Sequence, residues 1–446
     1  MSRPLISATL IAKNEAHNVD RCLDSLWPWV DEVVVADTGS TDDTIGVLER
    51  YAERKGEPGK LKIVHHEWAD DFAAARQAAD DAASGRWYVW ADFDDTVTGM
   101  AALREYVKNS SDDVVAFFTR YRYAADEDGN PISELWRERV VRNNGIKWQD
   151  RLHEHKLFLQ GGVVQVGPEI AEWVHHRDHT QRTGERNLRI LHAWLEDSPD
   201  DPRVIQSIAM EYMGEQRFQD AADMFMRYLN CPGEPLDRRA QAWRHMCVQL
   251  MLLNRPEQAR HHALTALGEE WRWPDTHLTL AEAEQTLGRP DVALIHAQTA
   301  LSIGKPTTML IINPLQYTAH PRAIMAICLA QLGRIDEAVG QMEECLQIAP
   351  HYPLAVQQMP LLIAQRRKHH AVTSMLASAE MLVEAGEPLK ARALLDQAPW
   401  YVFDDGRLVK RRGELSELVR ERKTLRRPVL VDVGADALME KLREAA

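Results

Sequence analysis

The sequence predicts a two-part protein: an α/β domain built on a mostly parallel sheet, followed by an all-α domain of helical repeats. Apolar runs of strand length alternate with helical patterns over residues 1–186. Strand signals then fade, and leucine, alanine and methionine recur at helical spacing through residues 187–400. A basic segment at residues 401–446 is expected to form a helical tail.

The composition is that of a soluble globular protein, because 45% of the 446 residues are hydrophobic and 27% are charged. The apolar run at residues 5–12 is too short to span a membrane and lacks a small-residue cleavage site. Neither a signal peptide nor a membrane helix is therefore expected. Five cysteines without a Cys-x-x-Cys pair favour a reducing, cytoplasmic location and argue against a structural zinc site.

The net charge of −14 disfavours nonspecific binding to nucleic acid, which depends on neutralising phosphates. The tail is the exception, since residues 407–446 carry 11 Lys and Arg against 7 Asp and Glu. A solvated terminal helix with alternating charges would show the same pattern. DNA is therefore a disfavoured partner. The sequence leaves the oligomeric state open, including a homo-oligomer.

The first domain opens with a strand, helix, strand, helix pattern, which predicts a mostly parallel sheet with right-handed crossovers. The predicted elements are a strand over residues 5–12, a helix capped by Asn14 or Asn18, a strand over 30–36, a helix over 44–55, a strand over 61–65, a helix from 68 to 83, a strand over 87–90, a helix over 99–108 and a strand over 114–123. Gly39 allows a tight turn after the second strand, and residues 40–43 supply oxygens that can cap the next helix.

Three carboxylates, Asp92, Asp94 and Asp95, directly follow the aromatic and β-branched strand at residues 87–90. Ligands of α/β sheets bind outside the carboxyl ends of the strands. Two carboxylates one residue apart at such an edge can hold Mg²⁺ or Mn²⁺, and the cation can in turn hold phosphate oxygens. An acidic, solvated loop would look the same in sequence, so the motif needs support from the rest of the chain.

The second domain repeats a pair of residues, a small one and an alanine five positions later, which is typical of the turn and second helix of a tetratricopeptide unit. The pairs are Gln216 with Ala221, Asn254 with Ala259, Gly288 with Ala293, Gly333 with Ala338, and Gly386 with Ala391. The small residues are expected to let the two helices of a unit pack closely. Irregular spacing predicts inserts near residues 305–321 and 352–368. Four aromatic residues are expected to pack between repeats rather than to stack on carbohydrate, namely Trp271, Trp273, Trp400 and Tyr401.

Several short runs of the first domain occur in a specific order and at specific spacing. They are residues 12–15, 22–26, 31–35 and 37–42, Trp68 with residues 70–73, Arg76, and residues 92–95, 139–142, 152–154 and 185–188. With these runs, the first 190 residues resemble a family 2 glycosyltransferase of the GT-A fold. The resemblance is to the branch whose catalytic domain is followed by tetratricopeptide repeats.

On the donor side, the resemblance implies a nucleoside-diphosphate sugar, with a UDP-sugar favoured over a GDP-sugar, and a bound Mn²⁺ or Mg²⁺. Asp94 is implied as the main metal ligand, Asp92 lies nearer the ribose and the metal-bound water, and His176 is a further ligand. The other implied donor-binding residues are Thr9, Ile11, Asn14, Asp37 and Arg76, of which the last approaches the diphosphate. Thr38 stands where many relatives have a second acidic residue, which leaves the base of the donor open.

On the acceptor side, an inverting transfer needs a general base, usually a carboxylate, close to the attacking hydroxyl. Glu154 is preferred because it lies in the His-Glu motif of the branch, and Asp150 is the alternative. His153 could position that carboxylate or touch a phosphate oxygen. Either His175 or His176 could close the donor site, a role that suits a histidine beside carboxylates.

The sequence thus predicts a metal-dependent glycosyltransferase whose repeat domain recruits a protein or another macromolecule as acceptor, and the family resemblance implies that the transfer is inverting. Two alternatives remain. The same chemistry could act on modified bases in DNA, with the basic tail on phosphates. The chain could also be a binding scaffold with a decayed transferase domain, although the acidic residues Asp37, Asp92, Asp94 and Glu154 argue against it.

Overall fold

The computed structural model describes residues 3–126, 129–156, 161–176 and 184–425. The chain divides into two compact units, Met1–Val356 and Gln357–Ala446. The first unit contains the sheet and most of the helix pairs, and the second contains the last helices. The domain boundaries predicted after residues 186 and 400 are not those of the compact units, and they stay a prediction.

The amino-terminal part of the first unit is a mixed sheet. The strands are β1 (Ile6–Ala12), β2 (Glu32–Asp37), β3 (Leu61–His65), β4 (Trp87–Ala91), β5 (Asp95–Thr98), β6 (Val114–Ala125), β7 (Pro131–Arg142), β8 (Trp148–Gln149), β9 (His155–Lys156), β10 (Gly162–Val166) and β11 (Glu172–His175). The order in the sheet is β3-β2-β1-β4-β7-β6-β11-β5, with β10 beside β6, while β8 and β9 form a separate hairpin. The strands β1 to β4 pair in parallel, as the sequence predicts, and β7 is antiparallel to β4.

Four helices accompany the sheet among the described residues. They are α1 (Val19–Leu26), α2 (Thr44–Arg54), α3 (Phe72–Ala82) and α4 (Met100–Lys108). The helix predicted from residue 68 begins only at Phe72, because the Asp71 side chain accepts a hydrogen bond of 2.9 Å from the backbone amide of Ala74 and caps it. Asn18 precedes α1, but its side chain makes no capping hydrogen bond.

The two faces of β1 serve different purposes. On one face, Ile6, Ala8, Leu10 and Ala12 pack in the main hydrophobic core. Residues of α1, α2 and α4 belong to the same core. On the other face, Ile11 packs in a small cluster with Ala79 of α3. The helix α3 therefore covers the face of the sheet on which Ile11 lies, and this is the helix that carries Arg76.

Helices follow one another from residue 184 to residue 425. Neighbouring helices pack together from the first of them to the helix that ends at Ile348, and so do the last two helices. The helices are α5 (Gly184–Asp197), α6 (Pro202–Gly214), α7 (Phe218–Leu229), α8 (Leu236–Leu252), α9 (Pro256–Glu269), α10 (Pro274–Thr286), α11 (Pro290–Ile303), α12 (Ala319–Gln331), α13 (Ile335–Ile348), α14 (Pro353–Glu384), α15 (Pro388–Asp396) and α16 (Gly406–Leu425). Among these described helices, none is both long and apolar enough to cross a membrane.

Each small residue of the predicted repeat pairs ends the first helix of its pair in a left-handed conformation. The values of φ are 60° at Gln216, 58° at Asn254, 74° at Gly288, 78° at Gly333 and 79° at Gly386. In every case the next amide bonds the carbonyl five residues back, as in a Schellman motif. The prediction that these residues permit close helix packing is therefore wrong. Close packing depends on the paired alanines, which are all 0% exposed.

The insert predicted near residues 305–321 is a strap, residues 304–318, between α11 and α12. The strap reaches β7, where Glu134 and Ile312 exchange two backbone hydrogen bonds of 3.0 Å. Lys305 Nζ also lies 3.0 Å from Glu134 Oε1. On the repeat side, Gln241 Nε2 donates to the carbonyl of Ile311 at 2.7 Å. The strap thus ties the sheet to the repeats within the first compact unit.

Two other expectations about the repeats differ from the structure. The second predicted insert, near residues 352–368, is part of α14, a 32-residue helix that contains Pro360. The prediction of packing between repeats is wrong for Trp271, Trp400 and Tyr401, which are 60%, 89% and 46% exposed. These rings lie at the surface because they stand in the turns after a helix rather than on its apolar face.

The second compact unit has a hydrophobic core of its own. The core residues include Val372 on α14, Leu395 on α15, and Leu408 and Leu415 on α16. The expected basic helical tail begins as α16, and residues 426–446 lie outside the described residues.

Candidate functional site

The strand β4 ends directly at the acidic turn. All five residues of Trp87–Ala91 are buried, and the amide of Asp95 then bonds the carbonyl of Asp92 at 3.0 Å. The next strand, β5, pairs antiparallel with β11, and this register sets Asp95 opposite His175. The turn and the pairing together bring two carboxylates, Asp94 and Asp95, next to one imidazole.

Asp94, Asp95 and His175 form a compact cluster that could hold a metal ion. One ligand atom from each lies within 4.8 Å of the other two, and His175 Nδ1 is 3.4 Å from both Asp94 Oδ1 and Asp95 Oδ1. Asp94 Oδ1 is buried, yet no described donor meets it in hydrogen-bonding geometry. A buried carboxylate oxygen needs a partner, so these residues fit Mn²⁺ or Mg²⁺.

Asp95 is anchored by the protein itself. Its carboxylate is fully buried, Arg139 Nη2 lies 3.1 Å from Oδ2, and the Tyr121 hydroxyl donates to Oδ1 at 2.8 Å. The Arg139 guanidinium also lies over the Trp90 ring, 3.8 Å from its centroid. Since its oxygens are already engaged, Asp95 orients the cluster, and Asp94 is the carboxylate left to bind a ligand.

His175 is held as a cation. Burial alone would lower its pKa, but the hydrogen bonds and charges of Asp94 and Asp95 outweigh burial and raise the pKa to about 9. At neutral pH a proton therefore balances the two carboxylates in the metal-free protein. A divalent cation bound at the cluster would displace that proton.

The geometry favours His175 over His176 as a ligand. Side chains alternate along a strand, so the two histidines point to opposite sides, and His176 Nε2 lies 2.8 Å from Thr96 Oγ1 instead. Asp92, which was also predicted as a ligand, lies outside the cluster. The choice between the two histidines depends on the register of β11 against β5, which the sequence does not reveal.

Arg76 connects the acidic turn to the hairpin that carries Glu154. Its Nε donates to Glu154 Oε1 at 2.5 Å, and its Nη2 donates to Asp92 Oδ1 at 2.7 Å. The side chain is only 6% exposed and lies 4.5 Å from the centroid of the Trp90 ring. Burial would raise the pKa of Asp92, but the charges of Arg76 and Arg139 outweigh burial and lower it. Asp92 is therefore the ionised partner of Arg76.

The third guanidinium nitrogen of Arg76, Nη1, is buried and has no acceptor among the described residues. Arg76 packs with Thr9, Ile11 and Trp90 around a gap that is too small to hold a water molecule. An unsatisfied buried donor costs roughly 1–3 kcal/mol. This nitrogen therefore lacks a protein acceptor, and the residues around the gap include three of the predicted donor-binding residues, Thr9, Ile11 and Arg76.

Asp37 and Asn14 shape the turn after β2. The Asp37 carboxylate is 3% exposed and accepts hydrogen bonds from the amides of Gly39 at 3.2 Å and Ser40 at 3.1 Å. Asn14 Oδ1 accepts from the amide of Thr41 at 2.7 Å. Both side chains are thus already engaged by the backbone. Their contribution to a nucleotide site would come through the shape of this turn.

The β8–β9 hairpin carries the three residues predicted for the acceptor side. Glu154 is 8% exposed and belongs to the ion-pair network at the acidic turn. Asp150 pairs instead with Arg203 at 2.7 Å and His155 at 3.0 Å. His153 is exposed to solvent. The φ values of Asp150 and His153 are 69° and 58°, a costly left-handed conformation that often accompanies functional loops.

A cleft of about 530 Å³ lies next to the hairpin. Residues from α3, the hairpin, α5 and the start of α6 line it, namely Asp71, Ala73, Ala74, Gln77, Lys147, Trp148, Gln149, Asp150, Arg151, Trp194, Asp197, Ser198 and Asp201. Its charged groups already have protein partners, as in the 2.7 Å pair of Arg151 with Asp197. No predicted donor-binding residue lines it, but Asp150, a candidate for the acceptor side, does.

The sequence of the sheet domain matches a known family over residues 7–168, described as glycosyl transferase family 2. Residues 7–168 are a glycosyl transferase family 2 domain. This glycosyl transferase domain includes the acidic turn, Arg76 and the Glu154 hairpin. His175 lies just beyond the matched range.

Curated relatives cover about half of the chain. A TPR repeat-containing protein of Synechococcus elongatus is 32% identical over 209 residues, which are 44% of this chain and 49% of that protein. The SPbeta prophage-derived glycosyltransferase SunS of Bacillus subtilis is 22% identical over 241 residues, or 51% of this chain and 54% of that protein. The chain thus spans about half the length of these relatives.

Two solved structures are similar to part of the chain. YrrB, described as a TPR protein with an unusual peptide-binding site, is 17% identical with a TM-score of 0.31 and covers 39% of this chain and 82% of its own. The MamA protein is 15% identical with a TM-score of 0.31 and covers 37% of this chain and 81% of its own. The repeat architecture rests on the helix pairs and their Schellman turns. The predicted fold class, a GT-A-like domain followed by tetratricopeptide-like repeats, is confirmed.

Proposed function

We propose that the protein is a metal-dependent, inverting glycosyltransferase that moves a sugar from a nucleoside diphosphate to a protein or another macromolecule. The observation that carries the proposal is the ion-pair network of Arg76, which joins Asp92 of the acidic turn to Glu154. Next to it stands Asp94, whose buried carboxylate oxygen Oδ1 has His175 as an ion-pair partner at 3.4 Å but accepts no hydrogen bond of good geometry from the described residues. Inversion is taken from the family resemblance.

On the donor side, Asp94 and His175 would hold the cation, and Asp95 would keep both in place. A bound Mn²⁺ or Mg²⁺ would supply Lewis acidity that stabilises negative charge on the departing diphosphate. Arg76 Nη1 would donate to a diphosphate oxygen, which satisfies its open hydrogen-bonding position. The remaining predicted residues, Thr9, Ile11, Asn14 and Asp37, would surround the base and ribose. A UDP-sugar is the favoured donor.

On the acceptor side, Glu154 would act as the general base. It takes the proton from the acceptor hydroxyl, the hydroxyl oxygen bonds to the anomeric carbon, and the bond from that carbon to the diphosphate breaks. When Glu154 becomes neutral, Arg76 loses one negative partner in the same step in which the diphosphate gains negative charge. The guanidinium can therefore stabilise the leaving group without any large movement.

The repeats would recruit the acceptor, which accounts for a helical array of more than 200 residues attached to the transferase domain. Stacked helix pairs form extended surfaces that suit macromolecular partners. The strap at residues 304–318 supports this role, because it fixes part of the array to β7 of the transferase sheet.

Thermal unfolding with UDP, GDP and their sugar conjugates, each with and without Mn²⁺, tests the donor site. A ligand at 100 times its Kd stabilises the folded protein by about 2.7 kcal/mol, which gives a shift of several degrees. We expect a metal-dependent shift with a uridine ligand for the wild type and for Asp112→Ala, whose side chain is fully exposed. Asp94→Ala should abolish it. A shift that persists in Asp94→Ala would contradict the metal site.

A second experiment tests the base. Glu154→Gln keeps the size of the side chain and a hydrogen-bond acceptor for Arg76, but it cannot take a proton. We expect the turnover of the donor to fall by about a factor of 100 or more while the nucleotide-dependent thermal shift persists. Unchanged turnover in Glu154→Gln would remove this residue from the mechanism.

A further inference from the structure

The helix α3 holds the β8–β9 hairpin at two places one helical turn apart. Arg76 meets Glu154, as described, and Asp80 lies four residues further along the same helix. Asp80 Oδ2 accepts a hydrogen bond of 2.6 Å from Lys156 Nζ and another of 2.8 Å from Trp148 Nε1. Trp148 and Lys156 are cross-strand partners in the hairpin. One carboxylate oxygen therefore binds both strands.

The second contact is among the most deeply buried ion pairs of the described residues. The side chains of Lys156 and Asp80 are 1% and 2% exposed. The ammonium also donates to the carbonyl of Ile146 at 3.1 Å and lies 5.0 Å from the centroid of the Trp148 ring. A pair buried in this way is weak evidence for stability, because removing two charges from water offsets their attraction. Its geometry points instead to a role in fixing the hairpin.

The position of Glu154 makes this role specific. Glu154 lies two residues before Lys156 and directly after His153, which has the left-handed φ of 58°. A loop with strained residues keeps its shape only where its surroundings fix it. The Asp80 contact holds β8 and β9, the two strands that flank that loop.

We propose that Asp80 and Lys156 are a positioning pair, which sets the β8–β9 hairpin on α3 and so holds the Glu154 carboxylate against Arg76. The inference rests on the proposed role of Glu154 as a base. Asp80 and Lys156 touch no reacting atom in this scheme. Their effect reaches the chemistry through the placement of Glu154.

The test replaces both charges together, with Asp80→Asn and Lys156→Met in one chain. The introduced asparagine would keep an acceptor for Trp148 Nε1, and no unpaired charge would remain buried. The control is the neighbouring pair of Asp81 and Lys147, which are 2.8 Å apart with side chains 58% and 60% exposed, changed to Asp81→Asn and Lys147→Met. The control removes the same charges from the same helix and from the residue before β8, but at an exposed site where a pair contributes little.

Three measurements are made on the wild type and both double variants. They are the melting temperature, the amide hydrogen exchange of residues 148–156, and the release of UDP from UDP-glucose and UDP-N-acetylglucosamine with Mn²⁺. For the Asp80 and Lys156 variant we expect a melting temperature within a few degrees of wild type and roughly tenfold faster exchange in the hairpin. We expect kcat to fall by about 10- to 100-fold with KM for the donor unchanged. The control should match the wild type.

Hairpin exchange at the wild-type rate would overturn the inference, and so would an unchanged kcat alongside faster exchange. A fall in kcat that the control shares would also overturn it. Failure of the proposed function has a different signature, namely full UDP release by Glu154→Gln. If the wild type releases no UDP from either sugar, the exchange comparison alone decides whether the pair positions the hairpin.

Discussion

The ring of Tyr123 lies face to face with the imidazole of His175, with centroids 4.8 Å apart and planes 3° apart. Tyr121 of the same strand meets His175 edge-on at 6.1 Å and donates its hydroxyl to Asp95. The strand β6 therefore orients two members of the cluster that could hold a metal ion. For the proposed metal site we expect this contact to influence metal affinity, because groups that orient a ligand typically change affinity 10- to 100-fold when removed.

Replacing Tyr123 tests that contact. Tyr123→Ala removes the stacked ring and should weaken Mn²⁺ binding about tenfold, whereas Tyr123→Phe keeps the ring and should bind Mn²⁺ like the wild type. The Kd for Mn²⁺ is measured by titration calorimetry without nucleotide. Equal affinities for the Ala and Phe variants would show that the ring does not orient His175.

The Arg76 network should dominate local stability. Arg76→Met leaves Glu154 buried without its cation, and breaking such a pair typically costs about 3 kcal/mol or more. Adding Glu154→Gln to the same chain removes one of the two carboxylate charges that lose Arg76, the other being Asp92, and should restore part of that loss. Urea denaturation of the wild type, both single variants and the double variant gives the coupling free energy between Arg76 and Glu154. A strictly additive result would mean that the two side chains do not interact in solution.

We expect the protein to lose stability in mild acid because of His245. Desolvation lowers the pKa of this half-buried histidine to about 4, whereas an unfolded histidine has a pKa near its ordinary value of 6.5. The unfolded chain therefore takes up a proton first, and stability falls as the pH drops from 6.5 towards 4. The expected loss from this group between pH 7.5 and pH 5 is about 2 kcal/mol.

His245→Phe removes the titrating group and leaves a ring to pack against Phe225, whose centroid lies 5.5 Å from that of His245. The free energy of unfolding of this variant should fall less steeply over the same pH range. Urea denaturation at pH 7.5 and pH 5 measures how much free energy of unfolding the wild type and the variant each lose between these pH values. If the two proteins lost the same free energy of unfolding between pH 7.5 and pH 5, the lowered pKa of His245 would be contradicted.

Replacing either of two glycines of one repeat by alanine should change the stability of the protein, and the two changes should have opposite signs. Gly333 has a φ of 78°, and Gly340 lies inside α13, yet a Cβ at either position would meet no atom within 4 Å. Gly333→Ala should therefore cost about 1 kcal/mol through backbone conformation alone. Gly340→Ala should stabilise by up to about 1 kcal/mol, because glycine is a poor helix former. Thermal unfolding distinguishes the two signs, and a shared sign would contradict the Schellman assignment.

Much of the fold could be predicted from the sequence because local signals determine it. The parallel start of the sheet follows from alternating strand and helix patterns, and the strand at residues 61–65 is found with the predicted limits. The recurring pairs located the helix turns, although their physical cause was misread. Nothing in the pattern showed that Gln216 and Asn254 take the same left-handed conformation as the glycines.

The sequence predicted which residues belong to the site better than it predicted which of them contact one another. The acidic turn, Arg76 and Glu154 come together in the structure, but the partners of each depend on contacts between distant segments. Arg76 meets two carboxylates, one of them 78 residues away. The alternation that turns His175 towards Asp95 depends on strand register. Such register is fixed by the packed sheet, and a single sequence does not contain it in readable form.

The backbone bridge between Glu134 and Ile312 has a consequence for dividing the chain. Near Glu134, β7 extends past its pairing with β4, and the strap satisfies one amide and one carbonyl there. A truncated protein ending at residue 186 would present those groups as an open strand edge, the kind of surface through which sheets associate. We therefore expect the shortest stable form of the glycosyl transferase domain to extend past residue 318 and so to include the first helix pairs of the repeats.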